Sequence, residues 1–142
     1  MTAAEIRKFH TSPPPAGNGW SDIGYHFVIR TDGATEVGRP LTRAGAGVKG
    51  HNKDNIHICL VGGLDGKGQP TDNYTESQYH ALAALVIELC EKHSIDHANV
   101  VGHRDWFGLK EQWAKVCPCF DVRSWMRLVV ASMMFGGEDG RS

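Results

Sequence analysis

A histidine, a lysine and a cysteine fall close together toward the C-terminal end of this 142-residue sequence. His103 follows the run Val100-Val101-Gly102, Cys117 comes fourteen residues after it, and Lys115 stands two residues before the cysteine. Imidazole nitrogen and thiolate sulfur are ligands that zinc prefers, and a catalytic zinc uses three protein ligands with one position left for water. His103 and Cys117 are therefore candidate metal ligands, and Lys115 would put positive charge beside them. Pro118 argues for an exposed turn at the cysteine. Cys119 offers a second sulfur, and Cys-Pro-Cys is also a possible chelate.

The elements that must position these residues can be read from caps, periodicity and turn chemistry. Thr2-Ala-Ala-Glu5 is a capping box and predicts a short helix through about His10. Residues 13–19, rich in Pro and Gly, form a loop. Tyr25–Ile29 is a β run, and Asp32-Gly33 signals a turn before a second strand near Glu36–Gly38. Pro40–Asn55 lacks periodicity and is read as a long loop over one face. Ile56–Val61 is an apolar strand closed by Gly62-Gly63. Thr75-Glu-Ser-Gln78 is a second capping box, opening a helix to about His93 with a core stripe of Leu82, Leu85, Val86, Leu89 and Cys90. A short strand over Asn99–Gly102 would place His103 at a strand end. A last helix from about Val122 would turn Val122, Trp125, Met126 and Val129 inward. Strands alternating with helices predict an α/β class: one domain over residues 1–142, with a mixed central β-sheet flanked by helices. Residues 136–142 read as a flexible tail.

Bulk properties exclude several classes. With 15 Lys and Arg against 16 Asp and Glu, the formal net charge is -1, which offers no general field for a polyanion. No nucleic-acid partner is expected. Cys59 lies in an apolar run and Cys90 on an apolar helix face, so the four cysteines read as reduced thiols rather than a disulfide framework. No apolar run reaches the length of a membrane span, and no export signal opens the sequence, so no membrane insertion is expected. A monomer is expected.

Five stretches occur together and in order: Gly19-Trp20 with Asp22-Ile-Gly-Tyr-His-Phe27; Asp32-Gly33 with Gly38-Arg39-Pro40; Gly50-His-Asn52 with Leu60-Val-Gly-Gly63; Gly102-His-Arg-Asp105; and Lys115-Val-Cys-Pro118. Together they resemble the zinc-dependent N-acetylmuramoyl-L-alanine amidases of type 2, above all the compact phage lysins, which share a fold with peptidoglycan-recognition proteins. The resemblance runs from about residue 3 to residue 128. It implies hydrolysis of the amide between the lactyl group of N-acetylmuramic acid and the L-alanine of the stem peptide, with Zn2+ activating water. It implies His103 and Cys117 as zinc ligands, Tyr25 as the tyrosine that positions or deprotonates the water, and Lys115 as the stabiliser of the oxyanion. Arg39, His51 and Asn52 are expected to contact substrate, from a loop whose bases also include Arg43, Lys49 and Lys53. Such a lysin would wait in the host cytoplasm until a holin-type lesion opened a path to bacterial peptidoglycan.

The sequence departs from the family pattern in two places. Family members begin with an apolar strand ending in His-Cys-Ser, whose His is the first zinc ligand. Here Met1 stands where the following helix begins, so that strand and ligand are expected to be missing. Gly47 stands where relatives commonly carry a His. Three alternatives stay open. The chain is a piece of a longer amidase; or His10, His26 or His51 completes the coordination; or the domain is a catalytically impaired peptidoglycan-binding module. A regulator that binds a phage RNA polymerase is a further alternative, because some short phage amidases do so.

Overall fold

The computed structural model describes residues 1–15, 17, 19, 22–42, 55–63, 66–67, 69, 71–102, 105 and 120–135. They contain three α-helices and one three-stranded sheet. Two compact units divide the chain. One comprises Met1–Gly62 and Asn73–Leu82, the other Gly63–Asp72 and Ala83–Ser142.

Helix α1 (Ala3–Thr11) opens the first unit. The Thr2 hydroxyl accepts the Glu5 N–H at 3.2 Å and donates to the Glu5 carboxylate at 3.2 Å. The expected cap is therefore present, but Glu5 holds the threonine hydroxyl instead of its backbone N–H. The Ala3 N–H, another of the donors a helix start leaves without an intrahelical partner, goes to Glu36 Oε1 at 2.8 Å. Ala3, Ile6 and His10 are the buried residues of this helix.

The sheet runs in the order β2-β1-β3, with β1 Phe27–Ile29, β2 Thr35–Val37 and β3 Ile58–Leu60. β1 pairs antiparallel with β2, Phe27 opposite Val37, and parallel with β3, Phe27 opposite Ile58. The sheet is thus mixed, as expected. Gly33, at φ 86, supplies the left-handed residue of the β1–β2 turn, and a Cβ there would stand 2.9 Å from the Ser77 carbonyl oxygen. Pairing outlasts the formal strands: the Gly38 N–H donates to the His26 carbonyl and the Arg39 N–H to the Tyr25 carbonyl, each at 2.8 Å. Ala3, Ile6, Ile23 and Val28 form the core of this unit, with Tyr25, Cys59 and Val61 packed against it. Among the described residues no strand precedes α1.

Helix α2 (Glu76–His93) begins in the first unit with the predicted capping box fully made. The Gln78 N–H reaches the Thr75 hydroxyl at 3.1 Å, and the Thr75 N–H reaches Gln78 Oε1 at 2.9 Å. All five residues of the predicted stripe, Leu82, Leu85, Val86, Leu89 and Cys90, are buried.

In the second unit, α3 (Val122–Phe135) starts at the predicted place, capped by Asp121, whose Oδ1 accepts the Arg123 and Ser124 N–H groups. Val122 and Met126 are buried, while Trp125 and Val129 are only half-buried. The expected strand over Asn99–Gly102 is not formed. A 3-10 turn occupies His97–Asn99, and residues 100–102 are irregular. Asp96 is the cause: its side chain accepts the Ala98 N–H at 2.9 Å, and its carbonyl accepts the Asn99 N–H at 2.8 Å. An Asp that bonds its own downstream backbone competes with strand pairing, and here it outweighs the β preference of Val100 and Val101.

Candidate active site

Of the residues expected to act, Tyr25 and Arg39 lie within the described structure. His103, Lys115, Cys117, His51 and Asn52 lie outside the described residues, as do Gly47 and the tail 136–142.

Tyr25 sits just before β1 on a segment that is fixed from both sides. On one side is α1, where His10 is 6% exposed. Its Nδ1 accepts the Gly24 N–H at 2.9 Å, and its ring lies 5.4 Å from the Tyr25 ring at a tilt of 56°. An imidazole that accepts an N–H at Nδ1 is neutral and carries its proton on Nε2. Burial, and then the positive charge of Arg39, lower the His10 pKa, which favours that neutral form. On the other side is Arg39, 9% exposed, whose Nε donates to the Ile23 carbonyl at 2.8 Å and whose Nη2 donates to the Asp22 carbonyl at 3.3 Å. The same residue's N–H holds the Tyr25 carbonyl. Arg39 was expected to meet substrate; in the structure it is buried and supports the 22–25 backbone through these bonds.

Asp22 completes the clamp. Its Oδ1 accepts the Ile23 N–H at 2.7 Å and Arg7 Nε at 3.0 Å. Burial works to raise this carboxyl's pKa, but the hydrogen bonds from Arg7 and Ile23, with the charges of Arg7 and Arg39, take it below its usual value. Arg7 and His10 lie three apart on α1, hence on one face, and each grips the same short segment.

Two of the histidines weighed as a third ligand have one nitrogen committed. His10 Nδ1 takes the Gly24 N–H, and His26 Nδ1 takes the His57 N–H at 3.0 Å. His26 is buried at 1% exposure and stacks on His57, with ring centroids 5.6 Å apart and planes 13° apart. The His57 carbonyl in turn accepts the His26 and Phe27 N–H groups, so this pair locks the start of β1 to the approach of β3. Among the described residues no three His, Cys, Asp or Glu side chains stand close enough to hold a metal ion. The remaining donor set, an imidazole at 103 and a thiol at 117, suits zinc by ligand chemistry.

The two described residues that flank His103 and Arg104 are tied to each other. The Gly102 N–H donates to Asp105 Oδ2 at 2.7 Å, and the Asp105 N–H donates to the Gly102 carbonyl at 3.0 Å. Arg123 of α3 stands 4.0 Å from the second Asp105 oxygen. For Asp105 these bonds show turn closure.

The role of His10 in holding Gly24 was missed from the sequence. A signal was present: Ala3, Ile6 and His10 follow the three-four spacing of a buried helix face, and a His there needs a polar partner.

Comparison with known proteins places the chain. It matches the N-acetylmuramoyl-L-alanine amidase family over residues 2–120. It is 41% identical to the endolysin of Klebsiella phage KP32 over 121 residues, which is 85% of this chain and 72% of the relative. Its fold is similar to that of the N-acetylmuramoyl-L-alanine amidase LysC from Clostridium intestinale URNW, with a TM-score of 0.57 and 34% identity. That likeness covers 67% of this chain and 57% of LysC. It is also similar to bumblebee PGRP-SA, with a TM-score of 0.52 and 32% identity, over 63% of this chain and 48% of that one. The chain belongs to the N-acetylmuramoyl-L-alanine amidase family.

Proposed function

We propose that this chain is a phage or prophage endolysin that hydrolyses the amide between N-acetylmuramic acid and the L-alanine of the stem peptide. The observation that supports this best is the family match over residues 2–120, which takes in Tyr25, His103, Lys115 and Cys117. Likeness to phage endolysins at about the same identity over most of the chain points the same way. Those relatives are endolysins, and the proposed substrate is the bond for which the amidase family is named.

In this reading His103 and Cys117 would hold the metal, with the third ligand unassigned. Zinc, when bound at such a donor set, polarises the scissile carbonyl and lowers the pKa of water toward neutrality. Tyr25 orients the attacking water and receives its hydrogen bond at Oη. The Lys115 ammonium faces the oxyanion that forms as water oxygen bonds to the carbonyl carbon. The C–N bond then breaks, the L-alanine nitrogen takes a proton, and the lactyl group leaves as a carboxylate. Asn52 and His51 would contact the muropeptide, and Arg39 would do so from its buried position while holding the Tyr25 segment. The enzyme would be made in the host cytoplasm and reach the wall after holin-type permeabilisation. Among the described residues no helix is long and apolar enough to cross a membrane.

The test joins metal analysis to product analysis. Protein purified without chelator is measured for zinc by mass spectrometry and incubated with purified peptidoglycan, and new L-alanine amino groups are counted. About one zinc per chain with amine release, both lost in Cys117→Ala, is the expected result. Binding of peptidoglycan with no amine release at any zinc supply would identify a binding module instead.

A further inference from the structure

The interaction between α1 and the tyrosine segment goes beyond the family's catalytic set. His10 is buried, is held away from solvent against Tyr25, and spends Nδ1 on the N–H of the residue before that tyrosine. Gly24 has no side chain of its own, and its N–H is held by the His10 ring. From the other direction the Arg39 N–H fixes the Tyr25 carbonyl, and the Arg39 guanidinium fixes the two carbonyls before Gly24. The Ile23–Gly24 peptide group and the Tyr25–His26 peptide group are thereby pinned, one before and one after the Gly24–Tyr25 link, and the ring itself is flanked by the imidazole.

We infer that His10 is a positioning residue for Tyr25: its imidazole sets, through the Gly24 N–H and through ring contact, where the phenol stands in the hydrolytic site. This rests on the reading of Tyr25 as the residue that handles the attacking water. A nucleophile must be presented within a narrow range of distance and angle, and a displacement on the order of 1 Å can cost up to about a hundredfold in rate. A neutral hydrogen-bonded histidine in a packed face can hold that alignment because it has few alternative arrangements.

Two half-isosteres separate this role from a merely structural one. In His10→Asn the side-chain oxygen can stand near the place of Nδ1 and still accept the Gly24 N–H. In His10→Gln the polar atoms reach nearer the place of Nε2 and leave that N–H without its acceptor. Both are made in the wild-type and Tyr25→Phe backgrounds. Each protein is assayed for kcat and KM on a soluble muramoyl-peptide, for thermal midpoint, and by NMR of ring-labelled tyrosine.

The expected result is that His10→Gln lowers kcat about tenfold with KM little changed, while His10→Asn retains most of it. The Tyr25 resonance should move in His10→Gln more than in His10→Asn. In the Tyr25→Phe background the glutamine should cost almost nothing more, because residues that act as one unit are non-additive. Equal kcat for both His10 variants and wild type would overturn the inference. So would a kcat loss of the same factor in both backgrounds, which would mean that His10 acts elsewhere. If Tyr25→Phe alone keeps wild-type kcat, the reading of Tyr25 fails, and this inference falls with its premise. Should His10→Gln lose its fold, His10→Ser takes its place with the same expected and overturning results.

Discussion

The side-chain amide of Gln78 donates to the Val61 carbonyl at 2.7 Å from a position with no exposure to solvent. The same nitrogen reaches the Ile29 carbonyl at 3.2 Å, and Oε1 accepts the Thr75 N–H. One residue of α2 therefore joins the ends of β1 and β3 and caps its own helix. Gln78→Leu would keep the volume and remove every one of these bonds. The Ile29 carbonyl would still accept the Val61 N–H, but the Val61 carbonyl and the Thr75 N–H would lose the partners described. Thr75 is exposed and Val61 half-buried, so water can take up part of what is lost, and a loss of about 1–3 kcal/mol is expected in urea unfolding. A loss below about 0.5 kcal/mol would show that water or a backbone shift replaces the amide.

Gly38 makes a sharper local prediction. A Cβ there would overlap the Tyr25 carbonyl oxygen and stand 3.2 Å from the Ile23 Cγ2. The first obstacle is backbone, which cannot swing aside as a side chain can. Gly38→Ala should therefore cost about 1–3 kcal/mol, the usual range for overpacking, and should lower kcat because it pushes on the tyrosine segment. Wild-type kcat in a folded Gly38→Ala protein would argue against tight placement of Tyr25.

The buried His10 gives the fold a dependence on pH with a definite sign. Its pKa is lowered in the folded state, by burial first and then by the charge of Arg39, relative to an unfolded value of about 6.5. The unfolded chain therefore binds more protons between the folded and unfolded values, and stability rises with pH across that window. The contribution is complete above about pH 6.5 and is lost as pH falls through the lowered folded value. Asp22 acts in the same direction at lower pH, since its pKa is also lowered. Comparison with His10→Asn isolates the histidine, because asparagine does not titrate. Wild type should lose stability faster than this variant as pH falls below 6.5, and parallel curves would sink the assignment.

Cys90 should be chemically quiet. Burial, and then the charge of Asp96, push its thiol pKa up, so it stays protonated near neutrality. The thiolate is the reactive form, and the side chain is 5% exposed. Under native conditions an alkylating reagent should modify Cys90 more slowly than the half-exposed Cys59, with peptide mapping as the readout. Faster modification of Cys90 would contradict its burial.

What the sequence disclosed depended on how local the determining interactions were. Both capping boxes, Thr2 with Glu5 and Thr75 with Gln78, announced their helices because cap chemistry acts within four residues. The stripe from Leu82 to Cys90 showed itself through helical period. The β run at Tyr25–Ile29 was sound, and its first two residues still bond to Gly38 and Arg39 beyond the formal strand. The strand expected at Asn99–Gly102 failed because a single Asp96 side chain wound the preceding turn. Arg39 reads in sequence like any basic residue beside a loop, and only the folded chain shows it turned onto the Asp22 and Ile23 carbonyls. Helical spacing marks His10 as a buried histidine in need of a partner, but the partner, Gly24, lies fourteen residues away, and no cap or period names it.

Helix α1 has nine residues, fewer than a free helix needs to persist in water. Its order comes from what Ile6, Arg7 and His10 touch, and those contacts end on Asp22, Ile23 and Gly24 or in the core beside them. Helix and tyrosine segment should therefore open as one cooperative unit. Amide hydrogen exchange would report this as a shared rate: the Gly24 proton, although it lies in a loop, should exchange as slowly as the interior amides of α1 and should speed up with them when urea is raised.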